Sequence, residues 1–77
     1  MKVNKRQLAI ILWTHCIVNI KADGKVLKYR YCVDPKNPKR HVWFCNGKIT
    51  GISGGTDLIQ YLTEKYKDIE VTYKRQF

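Results

Sequence analysis

Acidic side chains are scarce in this sequence. Six Asp and Glu stand against 15 Lys and Arg, and no two of the six are placed to converge on a reacting atom. Asp57 reads as a first-turn helix residue and Glu64 as the exposed side of the same helix, so paired-carboxylate catalysis has nothing to build on. Long apolar runs are missing too. The longest candidate, Leu8 to Trp13, falls far short of the ~20 residues needed to cross a bilayer. It also lacks the small-residue cleavage site of a secretory signal. Cysteine is sparse and odd in number. Cys16, Cys32 and Cys45 form no C-x-x-C and no regular spacing, which argues against a disulfide framework and suits a reducing, cytoplasmic setting. There is no linker, repeat or low-complexity segment, so the 77 residues read as one soluble domain. A chain of this size buries only about 60% of its unfolded surface, and a deep dry cleft is hard to build in it. The expectation is a non-enzyme with no cofactor.

What is present is positive charge, unevenly placed. Residues 1–54 hold eleven Lys and Arg and two acids, Asp23 and Asp34, while residues 55–77 hold four of each sign. The whole net charge of +9 therefore belongs to the first two thirds, which is the electrostatic footprint of a polyanion binder. The plainer reading is that the surplus keeps a small domain soluble.

Two dipeptides organise that basic part. Asp23-Gly24 and Asn46-Gly47 are favoured centres of two-residue type I′ turns, in which both central residues need positive φ. The first turn sets Ala22 against Lys25 and, step by step, Ile17 against Arg30, Cys16 against Tyr31 and His15 against Cys32. Side chains alternate along a strand, so Cys16, Val18, Ile20, Leu27, Tyr29, Tyr31 and Val33 gather on an apolar face. His15, Ile17, Asn19, Lys28, Arg30 and Cys32 gather on the other. The second turn sets Phe44 against Ile49 on an apolar face with Val42, leaving His41, Trp43, Cys45, Lys48 and Thr50 opposite. Between the hairpins, residues 34–40 with Pro35 and Pro38 read as an exposed loop carrying Lys36, Lys39 and Arg40.

From Asp57 to Tyr66 the period turns helical, with Leu58, Ile59, Leu62 and Tyr66 on one face and Thr56 as the expected N-cap. Ile69, Val71 and Tyr73 then alternate with polar residues as a final strand. The fold class is α+β: an antiparallel sheet of four to five strands built from two hairpins, with a helix over about 57–66 on one face and a last strand over about 69–75. The N-terminal segment admits two readings. Asn4 can cap a helix through Leu8, Ile11 and Leu12, while Leu8, Ile10 and Leu12 equally extend the alternation of the first strand, and the strand is slightly favoured. As a strand it would overhang its partner and need another neighbour, either the last strand or a second copy of the chain in a homodimer. The ending, a glycine turn, an amphipathic helix and an alternating strand, resembles endings in many small phage and bacterial proteins. It covers under a third of the chain and implies architecture alone.

The expected site is the outer sheet face. Asn19, Lys28, Arg30, His41, Trp43 and Lys48 would meet there beside the Lys36, Lys39 and Arg40 loop, with the cations on phosphates and Trp43 as a stacking platform. The competing reading makes Trp13, Ile17 and Trp43 a second small core. Nucleic acid of undetermined type is one partner class. The other is an acidic surface on a larger protein, met by a small inhibitor or adaptor module. Ser53, Gly54, Gly55 and Thr56 form a candidate anion site at a helix start. The pattern there matches neither the P-loop nor G-x-G-x-x-G, Asp57 would repel an anion, and a flexible turn with an N-cap is the favoured explanation. His15 and Cys32 supply at most two zinc ligands, and His41 and Cys45 lie ~13 Å apart on one strand, so no metal is expected. A Cys32–His15 nucleophile pair lacks an orienting group and an oxyanion hole.

Overall fold

The computed structural model describes residues 4–76. The chain runs α1 (Lys5–Thr14), β1 (His15–Ala22), β2 (Lys25–Asp34), β3 (Asn37–Cys45), β4 (Lys48–Ile49), α2 (Gly55–Lys65) and β5 (Ile69–Gln76). The strands form one antiparallel sheet in the order β4-β3-β2-β1-β5. Among the described residues no helix is long and apolar enough to cross a membrane.

The N-terminal segment is a helix, not the slightly favoured strand. Its start is fixed by a reciprocal capping box: the Gln7 N–H donates to Asn4 Oδ1 at 2.8 Å and the Asn4 N–H donates to Gln7 Oε1 at 3.1 Å. This satisfies two of the donors a helix start leaves without partners. Leu8, Ile11 and Leu12 turn inward, whereas Ile10, which a strand would have buried, is 60% exposed. Helical spacing therefore wins over alternation. With it goes the apolar strand edge on which the last strand or a second copy of the chain could have paired.

Both glycine turns form as expected. Asp23 and Gly24 take φ of 49° and 84°, and Asn46 and Gly47 take 52° and 82°. The first hairpin keeps the expected register from Ala22↔Lys25 to Ile17↔Arg30, and Phe44 faces Ile49 across the second. Residues 34–40 are not a loop. Pro35 and Lys36 alone turn the chain, and β3 starts at Asn37, so β1 to β4 form a continuous meander.

One core cluster lies on one side of the sheet. It joins Leu8, Ile11 and Leu12 of α1, Leu58, Ile59 and Leu62 of α2, and Val18, Ile20, Ala22, Tyr29, Trp43 and Ile69 of the strands. Burying each large aliphatic side chain contributes roughly 1.5–3 kcal/mol. No described element covers the opposite side. The N-cap of α2 lies two residues before the expected Thr56: it is Gly54, in extended conformation and without a side-chain cap, while Asp57 sits in the first turn, where its charge suits the helix dipole. A Cβ on Gly55 would lie 3.6 Å from Leu12 Cβ and from the Trp13 ring. Those are ordinary van der Waals distances, so an alanine there would pack against α1 without displacing it.

Asp23 fastens the end of α2 to the first hairpin. Its carboxylate accepts the Asp68 N–H at 2.8 Å and the Lys67 N–H at 3.1 Å, and its own N–H donates to the Asp68 carbonyl at 3.0 Å. The hydrogen bonds from Asp68 and Lys67 hold its carboxyl below the ordinary value of 3.8. A lowered folded-state value means that this contribution is present above the ordinary value and is lost as pH falls through the lower, folded one. Asp23→Asn keeps a residue that tolerates positive φ but removes the charge. Its melting temperature should lie below wild type at neutral pH, and the gap should close as pH falls below about 4. A constant gap across an acid series of thermal melts would show that Asp23 acts through turn geometry alone.

Candidate functional site

The uncovered face is built from rows of side chains that cross the strands. Ile49, Phe44, Arg30, Ile17 and Arg75 are successive cross-strand partners from β4 to β5. The next row holds Lys28, Asn19 and Tyr73, and a third holds Val26, Lys21 and Glu70. Lys21, Lys28, Arg30, Tyr73 and Arg75 are exposed, and Ile17, Asn19 and Phe44 are half-buried. A shallow concavity of about 690 Å³ is lined by Ile17, Asn19, Lys28, Arg30, Cys32 and Phe44, with Asn46 and Gly47 at its rim. Asn46 fixes that rim: its Oδ1 accepts the Lys28 N–H and its own N–H donates to the Lys28 carbonyl, both at 2.9 Å. The turn thus sits against the strand that carries the two central cations.

Only part of the expected constellation meets here. Asn19, Lys28 and Arg30 share the open face as expected, but Trp43 does not. Tyr31 is paired with Trp43, so the indole points to the helices, where it is 1% exposed. Its ring lies 4.9 Å from the Tyr31 ring and meets Tyr29 edge-on at 6.4 Å. Nor is it in a second core with Trp13, which is 68% exposed. His41 lies on the helix side as well, stacked on Tyr31 at 5.5 Å. Lys48 faces Cys45 across the short hairpin and so also projects to that side, at the sheet edge. Burial pushes the Tyr29 phenol above its ordinary range, which leaves it neutral in the core.

The side chains of Lys36 and Lys39 stand exposed at the far tip of β2 and β3. Their N–H groups donate to Asp34 Oδ1 and Asn37 Oδ1, so the tip is ordered by side-chain acceptors. Arg40 has structural partners: its guanidinium donates to the Gly51 carbonyl and to Ser53 Oγ, both at 3.3 Å. That clasp holds the strand-to-helix connection against β3. It also engages Ser53, whose carbonyl accepts the Tyr31 hydroxyl at 3.2 Å. In the candidate anion site of Ser53, Gly54, Gly55 and Thr56, an Asp57 carboxylate oxygen lies 3.4 Å from where a Gly54 Cβ would stand. The site thus has a cation, Arg40, on Ser53 and a carboxylate, Asp57, beside Gly54.

The remaining chemistry is dispersed. His15 Nδ1 lies 2.8 Å from Thr14 Oγ1 and 3.1 Å from the Ile11 carbonyl, closing α1. His15 is paired with Gln76 of β5, and the pairing of β1 with β2 stops at Ile17↔Arg30, short of the expected Cys32 partner. Among the described residues no three His, Cys, Asp or Glu side chains gather in a metal-binding group.

Sequence reasoning missed Phe44, assigned to an apolar face, and Tyr73, grouped with Ile69 and Val71 in the alternation of the final strand. Two irregularities turn them outward. Between β2 and β3 the ladder slips after Val33↔His41, where the next pair is Asp34↔Asn37. Between β1 and β5, Asn19 faces Tyr73 while Ile20 faces Val71, leaving Thr72 as an extra residue. Bulges of this kind re-aim side chains. Neither family models nor curated proteins nor solved structures give a match to this chain.

Proposed function

We propose that the protein is a non-catalytic nucleic-acid-binding protein that works through the open face of its sheet. The observation that supports this reading is the convergence of Lys21, Lys28, Arg30 and Arg75 on three adjacent rows, against the single carboxylate of Glu70. Cations on a face with no packed element neutralise phosphates and release their counterions. The Lys36 and Lys39 tip extends the same positive field along the long axis of the sheet. Binding should therefore weaken steeply with salt. For three or four phosphate contacts, log K should fall with log salt at a slope of roughly −2 to −4. Labelled single- and double-stranded DNA and RNA oligonucleotides, titrated between about 50 and 300 mM salt, test this. No measurable binding of any of the four at the lowest salt would overturn it.

A second reading, an adaptor or inhibitor docking on an acidic protein, draws on α1. Ile10 and Trp13 lie one turn apart there and are 60% and 68% exposed, with Lys5 and Arg6 at the same helix's start. An exposed tryptophan on a helix that opens with two cations fits the hot-spot chemistry of protein interfaces. A partner that is retained after nuclease treatment and lost in Trp13→Ala would favour this reading.

A further inference from the structure

Resting on the nucleic-acid reading, we infer that the ligand is a single strand that crosses the sheet diagonally, one base stacked on Phe44 and another on Tyr73. The two rings occupy β3 and β5, with β2 and β1 between them. Three strand spacings and one two-residue step along a strand separate them by about 16 Å. A splayed strand bridges such a gap with about two or three bases. The path between the rings is furnished for that ligand. Arg30 is the direct cross-strand partner of Phe44, Asn19 is the direct partner of Tyr73, and Lys28 is the partner of Asn19 on its other side. Aromatic faces accept bases whatever their sequence, the two cations meet the backbone, and the Asn19 amide is placed to meet a base edge.

The ladder irregularities carry the argument further than composition does. Without the slip beyond Val33, Phe44 would lie on the helix side. Without the extra Thr72, so would Tyr73. Both departures from regular pairing therefore have one outcome, an aromatic on the basic face. Tyr73 is 50% exposed there, without the packing that would explain a core aromatic. A duplex keeps its bases stacked on one another and could engage only the cations, so the aromatics select against it.

The test uses the full chain with ten-nucleotide oligo-dT and oligo-U, and a duplex of the same length as the competing arm. Tyr73→Ala removes one platform at an exposed position. Phe44→Leu keeps apolar bulk beneath the other and removes only its π-face, so the fold survives. Each should weaken single-strand binding by about 5- to 100-fold and leave duplex binding within about 2-fold. Phe44→Trp should restore full affinity, and its fluorescence should be quenched by the bound base. Duplex binding as tight as single-strand binding, or single-strand binding indifferent to Phe44→Leu and Tyr73→Ala, would overturn this inference and leave the broader reading standing. Absence of binding to all three probes at low salt would overturn both. The ratio of oligo-dT to oligo-U affinity reports which sugar the face prefers.

Discussion

Trp43→Ala is expected to unfold a large part of the population at physiological temperature. A domain of this length has a total stability of ~4–12 kcal/mol, at ~0.05–0.15 kcal/mol per residue. Removing a fully buried tryptophan costs about 3–5 kcal/mol, through lost burial and the cavity left behind. Trp43 is 1% exposed and forms aromatic contacts with Tyr29 and Tyr31, so the hole would open where β2 and β3 meet the helices. Trp43→Phe should cost far less, about 1–2 kcal/mol. It keeps an aromatic ring in contact with both tyrosines, and the indole Nε1 has no hydrogen-bond partner among the described residues. The substitution therefore breaks no polar contact there and relieves a buried donor. Trp13→Ala, on the exposed face of α1, should cost under about 1 kcal/mol. Urea denaturation of the three variants measures all of this. If Trp43→Ala instead kept wild-type stability and lost only ligand affinity, the tryptophan would be on the surface and the register of β2 against β3 would be wrong.

That register is also where the sequence could be followed and where it could not. Each glycine turn dictates its own hairpin, since both central residues must take positive φ and the alternation has only one phase that separates apolar from polar residues. Lys28, Arg30 and Asn19 were therefore placed on the right face from residue types alone. The relation between the two hairpins depends on residues 34–37. Carried on without interruption, the Asp34↔Asn37 pair would set Tyr29 against Val42 and turn Val42 and Phe44 toward the helices, the arrangement that hydrophobicity suggests. The observed ladder sets Tyr29 against Cys45, three residues away. An odd displacement exchanges the faces of a strand. Trp43 is thereby buried and Phe44 turned outward. Val42, paired with Cys32, is fully buried yet outside the main core cluster. The size of a slip is set by tertiary packing, where a large indole fills the space beneath two helices better than a phenyl ring. No local pattern encodes it. The N-terminal helix was more legible than its reading: Asn4 and Gln7 stand at capping-box spacing, and that local signal outweighed the alternation of Leu8, Ile10 and Leu12.

Lys28→Glu/Arg30→Glu should cost about 100-fold or more in nucleic-acid affinity at about 0.1 M salt and flatten the salt dependence. The two side chains stand two residues apart on β2, on the same face, and both are exposed. Reversal at exposed strand positions leaves the core intact, so the circular dichroism spectrum should be unchanged. Each phosphate contact removed reduces the slope of log K against log salt by ~0.7–0.9, and the loss of two predicts a reduction of ~1.4–1.8. A domain with so large a charge surplus also attracts polyanions through its overall field, and the control must carry the same charge change elsewhere. Lys5→Glu/Arg6→Glu does so from the start of α1, at two exposed positions on the helix side of the sheet. At 0.1 M salt the Debye length is about 10 Å, which screens that helix from a ligand on the open face. The control should therefore lose only about 2- to 5-fold. Equal losses in the two double variants would mean that affinity follows net charge and that the open face holds no site. A large loss confined to Lys28→Glu/Arg30→Glu places phosphates over β2, between Phe44 and Tyr73, where a strand laid across the rows must pass.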